Sequence, residues 1–357
     1  MSLTPYDCIV CEGHRDSFEQ TRRRRQGEAH PLAEGLLPRF LHGGYDIVVY
    51  IVGGDSVTHR DMSDRPLEGS LDVLDFFLNE IQASHGKASV IRYKEDVPTK
   101  PDKDHVWFLM ELEGGRPFQE DYSSGRKMHE KLATLRCFYR LGVRGVQLTH
   151  NGRNELADGM FDQRTGGGLS EFGVAVIKEM NRLGMLVGIS HLTDRCMMEA
   201  IEISEAPVFA SHCNARAVFN HPRNLPDEII KAIAAKGGII GIHFLAMMLC
   251  EDNRMPTLDD FIAHIDYIAS LVGPQCLGFG ILGNDPTYTK YFPNTFRDTI
   301  VTPEHPQGME YYDQAKLLME ELDKRGYSIE DIYGIMGGNY ARAMRQVLPS
   351  RDNEAIL

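Results

Sequence analysis

The chain has 357 residues, of which 42% are hydrophobic and 25% are charged, a balance typical of a folded globular protein. Its formal net charge of −13 argues against a nucleic-acid partner or an anionic membrane, because both require a basic surface. No segment has the roughly 18 consecutive apolar residues of a membrane helix, and the start of the chain lacks a secretory pattern. The seven scattered cysteines favour a reducing compartment, so we predict a cytoplasmic protein.

Short apolar runs alternate with helical patterns along the whole chain. The runs that predict strands are 7–12, 45–52, 106–112, 143–149, 185–190, 207–211, 238–244 and 276–280. Helical periodicity is found between these runs, as in 71–81, 127–141, 170–183, 226–235 and 258–271. No interdomain linker or internal repeat interrupts the alternation. Residues 1–357 are therefore predicted to form a single domain.

Eight strands separated by helices place the chain in the α/β class and predict a closed (β/α)8 TIM barrel. An open, doubly wound sheet is the alternative, but no G-x-G-x-x-G motif follows the first strand. The apolar run 88–93 does not fit the alternation and predicts either an extra edge strand or a helix. Residues 328–348 predict two short C-terminal helices that pack on the outside of the barrel.

Two Ser-His pairs mark the ends of neighbouring strands. His191 follows the run 185–190, and His212 follows the run 207–211. The carboxyl ends of parallel strands meet at one face of a barrel, where such folds carry their chemistry. Glu113 follows the third strand, and the two glycines after it allow a tight turn. We therefore expect these three side chains at one barrel mouth.

Further candidate ligands follow the first and fourth strands. His14 and Asp16 can face the same site, because residues i and i+2 of an extended segment lie on one side. His150 follows the fourth strand. Imidazole nitrogens and carboxylate oxygens are ligands that zinc accepts. The complete set suits a site for two metal ions, with Glu113 as the bridging carboxylate.

Longer segments resemble the membrane (renal) dipeptidase family of the amidohydrolase superfamily. The similarity is strongest over 140–245, in GVQLTHNGRNELADG, GLSEFGVAVIKEMNRLGMLVGISHLTD, APVFASHCNARAVFNHPRNLPDE and KGGIIGIHF, and it recurs in TLDDFIAHIDYIASLVG and GGNYARAMRQVL. The resemblance implies a distorted (β/α)8 barrel of the metal-dependent-hydrolase type. It also implies two zinc ions per chain and hydrolysis of dipeptides, in many members with a D-residue at the C-terminal position.

The resemblance implies a role for each matching residue. His14 and Asp16 would bind the first zinc ion, and His191 and His212 would bind the second. Glu113 would bridge the two ions. The ions would share a water and convert it to a hydroxide near neutral pH, which would attack the peptide carbonyl.

Two further residues are assigned to the substrate by the same resemblance. His150 would lie over the substrate carbonyl and stabilise the oxyanion. Arg223 would hold the free carboxylate of the substrate, because a guanidinium can meet a carboxylate with two hydrogen bonds.

The chain departs from the family pattern at several positions around the expected site. The family's proton-donating aspartate aligns with Leu282, and Asp285, three residues further on, is the candidate for a displaced proton shuttle. Arg116 replaces a usual histidine, and Glu12 replaces a usual aspartate. The segment GGDSVTHRDM, residues 53–62, also differs from the family pattern. His243, outside the predicted ligand set, ends the seventh strand and is expected close to the pocket.

Three functions remain open at this point. The first is a binuclear zinc dipeptidase whose partner is a small dipeptide-like substrate, with no nucleic acid or membrane partner. The second is a metal-dependent hydrolase of another small amide or a lactam. The third is a metal-binding homologue with weak or lost catalysis, since Leu282 can carry no proton. A homodimer is expected only from the family resemblance.

Overall fold

The chain forms a barrel of eight parallel strands surrounded by helices. The computed structural model describes residues 3–55, 65–119, 125–245, 248–250, 256–280 and 314–356. The strands are β1 (Cys11–Arg15), β2 (Ile47–Gly54), β3 (Ala88–Val90), β4 (Val106–Glu113), β5 (Gly145–Gln147), β6 (Leu186–Gly188), β7 (Val208–Ala210), β8 (Ile239–Ile242) and β9 (Leu277–Phe279). Their order is β2-β1-β9-β8-β7-β6-β5-β4, and pairing between β2 and β4 closes the barrel. The predicted (β/α)8 TIM barrel is confirmed.

The strand β3 lies outside the closed ring. It pairs in parallel with the first residues of β4, from Val106 to Phe108. The last residues of β4, from Glu111 to Glu113, pair instead with β5. One edge of β4 is thus long enough to hold two short strands end to end. This explains why the apolar run 88–93 interrupts the alternation: its first three residues form the extra strand.

Helices cover the outside of the barrel. They are α1 (Phe18–Arg25), α2 (Leu37–Gly43), α3 (Pro66–Ala83), α4 (Met128–Lys131), α5 (Ala133–Leu141), α6 (Glu171–Leu183), α7 (Asp194–Ile203), α8 (Asp227–Ala235), α9 (Leu258–Val272), α10 (Gln314–Lys324), α11 (Ile329–Tyr333) and α12 (Asn339–Val347). Each of the five predicted helical runs is helical. Ser170 caps α6, as expected, by accepting a hydrogen bond from the Gly173 amide. None of the described helices has the length and hydropathy needed to span a bilayer.

Strand residues alternate between two apolar clusters. In β2, Val48, Tyr50 and Val52 pack in the large cluster that also contains the surrounding helices. Ile47 and Val49 belong instead to a smaller cluster inside the barrel. This period of two is the geometry of a strand that is buried on both faces. The carboxyl ends of the strands are thereby held in one ring.

The C-terminal helix α12 packs against the first residues of β1, β2, β6 and β8, in the cluster that fills the inside of the barrel. Tyr340 of this helix is 1% exposed, and its hydroxyl donates a hydrogen bond to the Ser211 carbonyl oxygen at 3.2 Å. A β-carbon at Gly13, Gly241 or Gly278 would overlap the Tyr340 side chain. Glycines in three strands therefore leave the space that the tyrosine ring fills. The helical period predicts this helix, but it does not report which surface of the barrel the helix covers.

Replacing Tyr340 with alanine is expected to destabilise the fold. The change removes a fully buried ring and leaves a cavity between three strands, which typically costs about 3–5 kcal/mol of unfolding free energy. Urea unfolding followed by circular dichroism measures the loss. Tyr6→Ala is the matched control, because the Tyr6 hydroxyl also bonds a carbonyl oxygen, that of His42, although its side chain is 53% exposed. An equal loss in both variants would contradict the role assigned to Tyr340.

Candidate metal centre

The predicted ligands lie together at the carboxyl ends of the strands. Three histidines turn Nε2 toward the carboxylate oxygen Oε1 of Glu113, the last residue of β4. The distances are 3.6 Å from His14, 3.2 Å from His191 and 3.7 Å from His212. Nε2 of His14 also lies 3.6 Å from Oδ1 of Asp16. Glu113 and the three histidines are buried, so these facing atoms are shielded from water.

The donor set fits a pair of metal ions. Two groups of side chains place their ligand atoms within 4.8 Å of one another: His14, Glu113 and His212 in one, and Glu113, His150 and His191 in the other. Glu113 belongs to both, as the bridging role requires. Imidazole nitrogens and a carboxylate form the donor set that zinc prefers. The grouping differs from the assignment by resemblance, which pairs His191 with His212 and leaves His150 for the substrate.

Each of the three histidines is fixed through its other ring nitrogen. A neutral polar side chain contacts Nδ1 in every case, which leaves Nε2 directed at Glu113. The pairs are His14 with Gln147 Nε2 at 3.2 Å, His191 with Asn151 Oδ1 at 2.7 Å, and His212 with Ser211 Oγ at 2.9 Å. Sequence analysis missed these partners. Ser211 precedes His212 and Asn151 follows His150, so both are sequence neighbours of histidines that the analysis had found at strand ends.

The backbone of His191 is strained. Its φ of 67° lies in the left-handed region, which non-glycine residues rarely adopt and which costs roughly 1–3 kcal/mol. The Met160 amide donates a hydrogen bond to the His191 carbonyl oxygen at 2.7 Å, and Gly159 pairs with Leu192 in an isolated bridge. The segment after β5 therefore holds His191 in the conformation that turns its ring toward Glu113.

Buried charges set the protonation of the cluster. Burial opposes a charge on His14, but the carboxylates of Glu113 and Asp16 outweigh it and raise the pKa of His14 to about 9. Burial raises the pKa of Glu113 to about 8. The pair therefore keeps a proton at neutral pH when no metal is bound. Burial lowers the pKa of His150 to about 3, and it holds the pKa values of His191 and His212 well below their usual range.

A second polar layer lies inside the barrel beneath this cluster. Glu111, two residues before Glu113 in β4, accepts a hydrogen bond from Gln147 Nε2 at 3.3 Å. Burial raises the pKa of Glu111 to about 7. Gly145 pairs with Glu111 across the strands, and Gly188 pairs with Gln147. A β-carbon at either glycine would press on its polar neighbour, so the two glycines give the layer its space.

Arg223 is a buried cation beside the cluster. Its Nη2 donates to the His212 carbonyl oxygen at 3.1 Å, and its Nη1 lies 3.5 Å from Sγ of Cys213. Within the described ranges, no carboxylate lies within 4 Å of its guanidinium. Its charge contributes to the low pKa values of His191 and His212. A buried guanidinium without an acidic partner is suited to an anionic ligand.

Only some of the residues that depart from the family pattern lie within the described part of the chain. Leu282 and Asp285 lie outside the described residues. Glu12 is fully buried and receives a hydrogen bond from Nε of Arg15 at 3.2 Å. His243 lies near the pocket, as expected: its ring centroid is 5.5 Å from that of His212, and its buried Nδ1 has no hydrogen-bond partner among the described residues.

Comparison with known proteins finds similarity to dipeptidases, both in a family model and in individual sequences. Residues 7–355 match the family model described as membrane dipeptidase, peptidase family M19. The chain is 33% identical over 355 residues to human dipeptidase 3, which covers 96% of this chain and 66% of the human protein. It is 35% identical over 213 residues to an uncharacterized dipeptidase of Schizosaccharomyces pombe, covering 59% of this chain and 48% of that protein. The chain thus spans only part of the length of both relatives.

A solved structure supports the same barrel. A metallo peptidase from Rhodobacter sphaeroides, liganded with a phosphinate mimic of the dipeptide L-Ala-D-Ala, superposes with a TM-score of 0.77. The match covers 96% of this chain and 99% of that chain at 20% identity, and at this identity it bears on the fold alone. The family model, in contrast, extends over nearly the whole sequence. The chain therefore belongs to the membrane dipeptidase family, peptidase family M19.

Proposed function

We propose that this chain is a zinc-dependent dipeptidase. The observation that carries the proposal is the convergence of three histidine Nε2 atoms on Oε1 of Glu113, next to the buried Arg223, which has no carboxylate partner in the part of the chain that the structure describes. His14, Asp16, Glu113, His191 and His212 would hold two zinc ions. Bound there, the ions would polarise a carbonyl group and lower the pKa of a water to near neutrality.

His150 is suited to stabilise negative charge on the substrate oxygen. Its ring centroid lies 4.5 Å from that of His191, which places it at the edge of the proposed metal site. Because burial lowers its pKa to about 3, the imidazole is neutral at neutral pH and keeps an N–H for donation. A fixed donor of this kind makes a stronger hydrogen bond to the charged oxygen of the transition state than to the carbonyl oxygen of the ground state, and it therefore accelerates the reaction.

Arg223 is suited to bind the C-terminal carboxylate of the substrate. The guanidinium is held by the His212 carbonyl oxygen, so its position relative to the proposed metal site is fixed. A free carboxylate two bonds beyond the scissile amide nitrogen is the anion that every dipeptide offers. The same feature favours a dipeptide over an amide without a carboxylate, and it applies equally to either stereochemistry of the second residue.

Zinc-loaded protein is expected to hydrolyse members of a panel of dipeptides with L- or D-residues at the second position. His191→Ala should reduce turnover at least 10²-fold, on the order of the loss of one group that stabilises transition-state charge, and should lower zinc content. Turnover is measured by amine release and zinc content by elemental analysis. His129→Ala, at an exposed position of α4, is the control and should match the unchanged chain. Full activity of His191→Ala would rule out the proposed site.

Arg223→Met is expected to remove the preference for a free carboxylate. The loss of charge-assisted hydrogen bonds, each worth about 1.5–3 kcal/mol, should raise KM for a dipeptide by roughly 10-fold or more. KM for the corresponding C-terminal amide should change little. Steady-state kinetics on the matched pair of substrates provides the comparison, and Arg223→Lys tests whether charge alone is sufficient. If both substrates lose affinity equally, Arg223 does not contact the carboxylate.

Zinc binding is expected to release protons and to weaken as the pH falls. At pH 7.5 the pair of His14 and Glu113 retains a proton, because the pKa of His14 is raised to about 9. Zinc must displace that proton, so affinity should fall by roughly tenfold per pH unit for each proton released. Calorimetry in buffers of different ionisation enthalpy counts the protons. Zinc binding without proton release at pH 7.5 would contradict the assigned protonation.

A further inference from the structure

Asp55 lies at the end of β2 and is the first residue beyond the strand. It is only 3% exposed. It belongs to the segment 53–62 that departs from the family pattern, and neither the proposed metal ligands nor the substrate contacts include it. Its carboxylate receives hydrogen bonds from the loops that follow two other strands, β4 and β5.

The carboxylate of Asp55 is surrounded by donors. Oδ1 accepts a hydrogen bond from the Arg116 amide at 2.7 Å, and Oδ2 accepts one from the His150 amide at 3.0 Å. Nδ2 of Asn154 lies 3.2 Å from Oδ1 and 3.0 Å from Oδ2. A carboxylate offers acceptors only, which matches two backbone amides and a side-chain amide. An asparagine of the same size has only one acceptor oxygen, so it could not accept hydrogen bonds at both positions.

The backbone around Asp55 packs closely against the turn that begins at Glu113. The Asp55 amide donates to the Glu113 carbonyl oxygen at 2.8 Å. Gly54, at φ 137°, lies so close to Glu113 that a β-carbon would overlap its backbone. Gly114, at φ 111°, similarly leaves space for the Asp55 carboxylate itself. Asp55 therefore contacts both the turn of the proposed bridging ligand and the main chain of the proposed oxyanion donor.

We propose that Asp55 is a positioning residue that sets the place of His150 relative to Glu113. This inference rests on the proposed function, because it concerns how His150 meets the substrate. The hydrogen bond from the His150 amide fixes the main chain from which the imidazole extends toward His191. The link from the Asp55 amide to the Glu113 carbonyl oxygen ties that main chain to the proposed metal site. A displacement of about 1 Å between reacting groups can cost on the order of 10²-fold in rate.

Asp55→Asn tests the proposal with almost no change in shape. One acceptor oxygen becomes an NH2 group, which then faces an amide donor and loses its hydrogen bond. We expect kcat to fall about 10- to 100-fold, with KM changed less than about threefold and zinc content unchanged, because His150 acts on the transition state. In a His150→Ala background, Asp55→Asn should have little further effect, since its contribution passes through His150.

Asp46→Asn is the matched control at the opposite end of β2. Asp46 is also buried, and its carboxylate accepts hydrogen bonds from the Val10 amide at 2.8 Å and the Asp102 amide at 2.9 Å. The change should lower the free energy of unfolding while kcat stays the same. If Asp46→Asn and Asp55→Asn reduce kcat equally, or if the effects of Asp55→Asn and His150→Ala multiply, the positioning role is overturned.

A second measurement does not depend on turnover. In zinc-loaded protein with isotope-labelled histidine, Asp55→Asn should shift the NMR resonances of the His150 ring and amide. The resonances of His264, a buried histidine of α9 whose ring bonds the Ala215 amide and the Leu249 carbonyl oxygen, should stay unchanged. Unperturbed His150 resonances would overturn the positioning role even if the chain hydrolyses no dipeptide. Failure of the proposed function is recognised separately, by the absence of turnover in the unsubstituted zinc-loaded chain.

Discussion

A buried carboxylate among three imidazole nitrogens is the constraint around which the barrel is arranged. Oε1 of Glu113 has His14, His191 and His212 within 3.7 Å, and the protein removes all four groups from water. Such a set is costly to bury unless a cation or a proton is shared within it. Zinc bound there would therefore stabilise the fold as well as supply chemistry, because binding to the folded chain shifts the unfolding equilibrium.

The barrel interior changes from apolar to polar along its axis, so the buried polar groups lie at the end that carries the proposed metal site. Helix α12 fills the lower part with apolar side chains and the Tyr340 ring. Glu111 and Gln147 form an intermediate layer that is polar but hydrogen-bonded to His14 above it. The intermediate layer therefore gives the cluster hydrogen-bond partners that belong to the protein and are fixed in place. Fixed partners keep the imidazole rings in one orientation.

Local patterns in the sequence predict the strands, the helices and the residues at strand ends, because these features depend on neighbours along the chain. Each of the eight apolar runs overlaps a barrel strand, although the first run, 7–12, shares only two residues with β1. The position at the end of a strand was enough to bring His191, His212 and Glu113 together. What the sequence does not contain is pairing over long distances. Asp55 meets Arg116 and His150 across 61 and 95 positions, and Tyr340 meets Ser211 across 129. No periodicity of two or 3.6 residues reports such contacts, so the hydrogen-bonding layer and the packing of Tyr340 inside the barrel emerge only from the fold.

With two zinc ions bound, the proposed site would have a charge opposite to that of the whole chain, and this bears on the substrate. The chain carries a formal charge of −13. Two zinc ions would bring four positive charges, against which Glu113 and Asp16 supply two negative ones. The Nδ1 partners of the histidines are an amide, another amide and a hydroxyl, so they add none. Arg223 adds a further positive charge. With these groups, a loaded site would keep a net positive charge inside an acidic protein, which favours a small anion that enters as a free carboxylate.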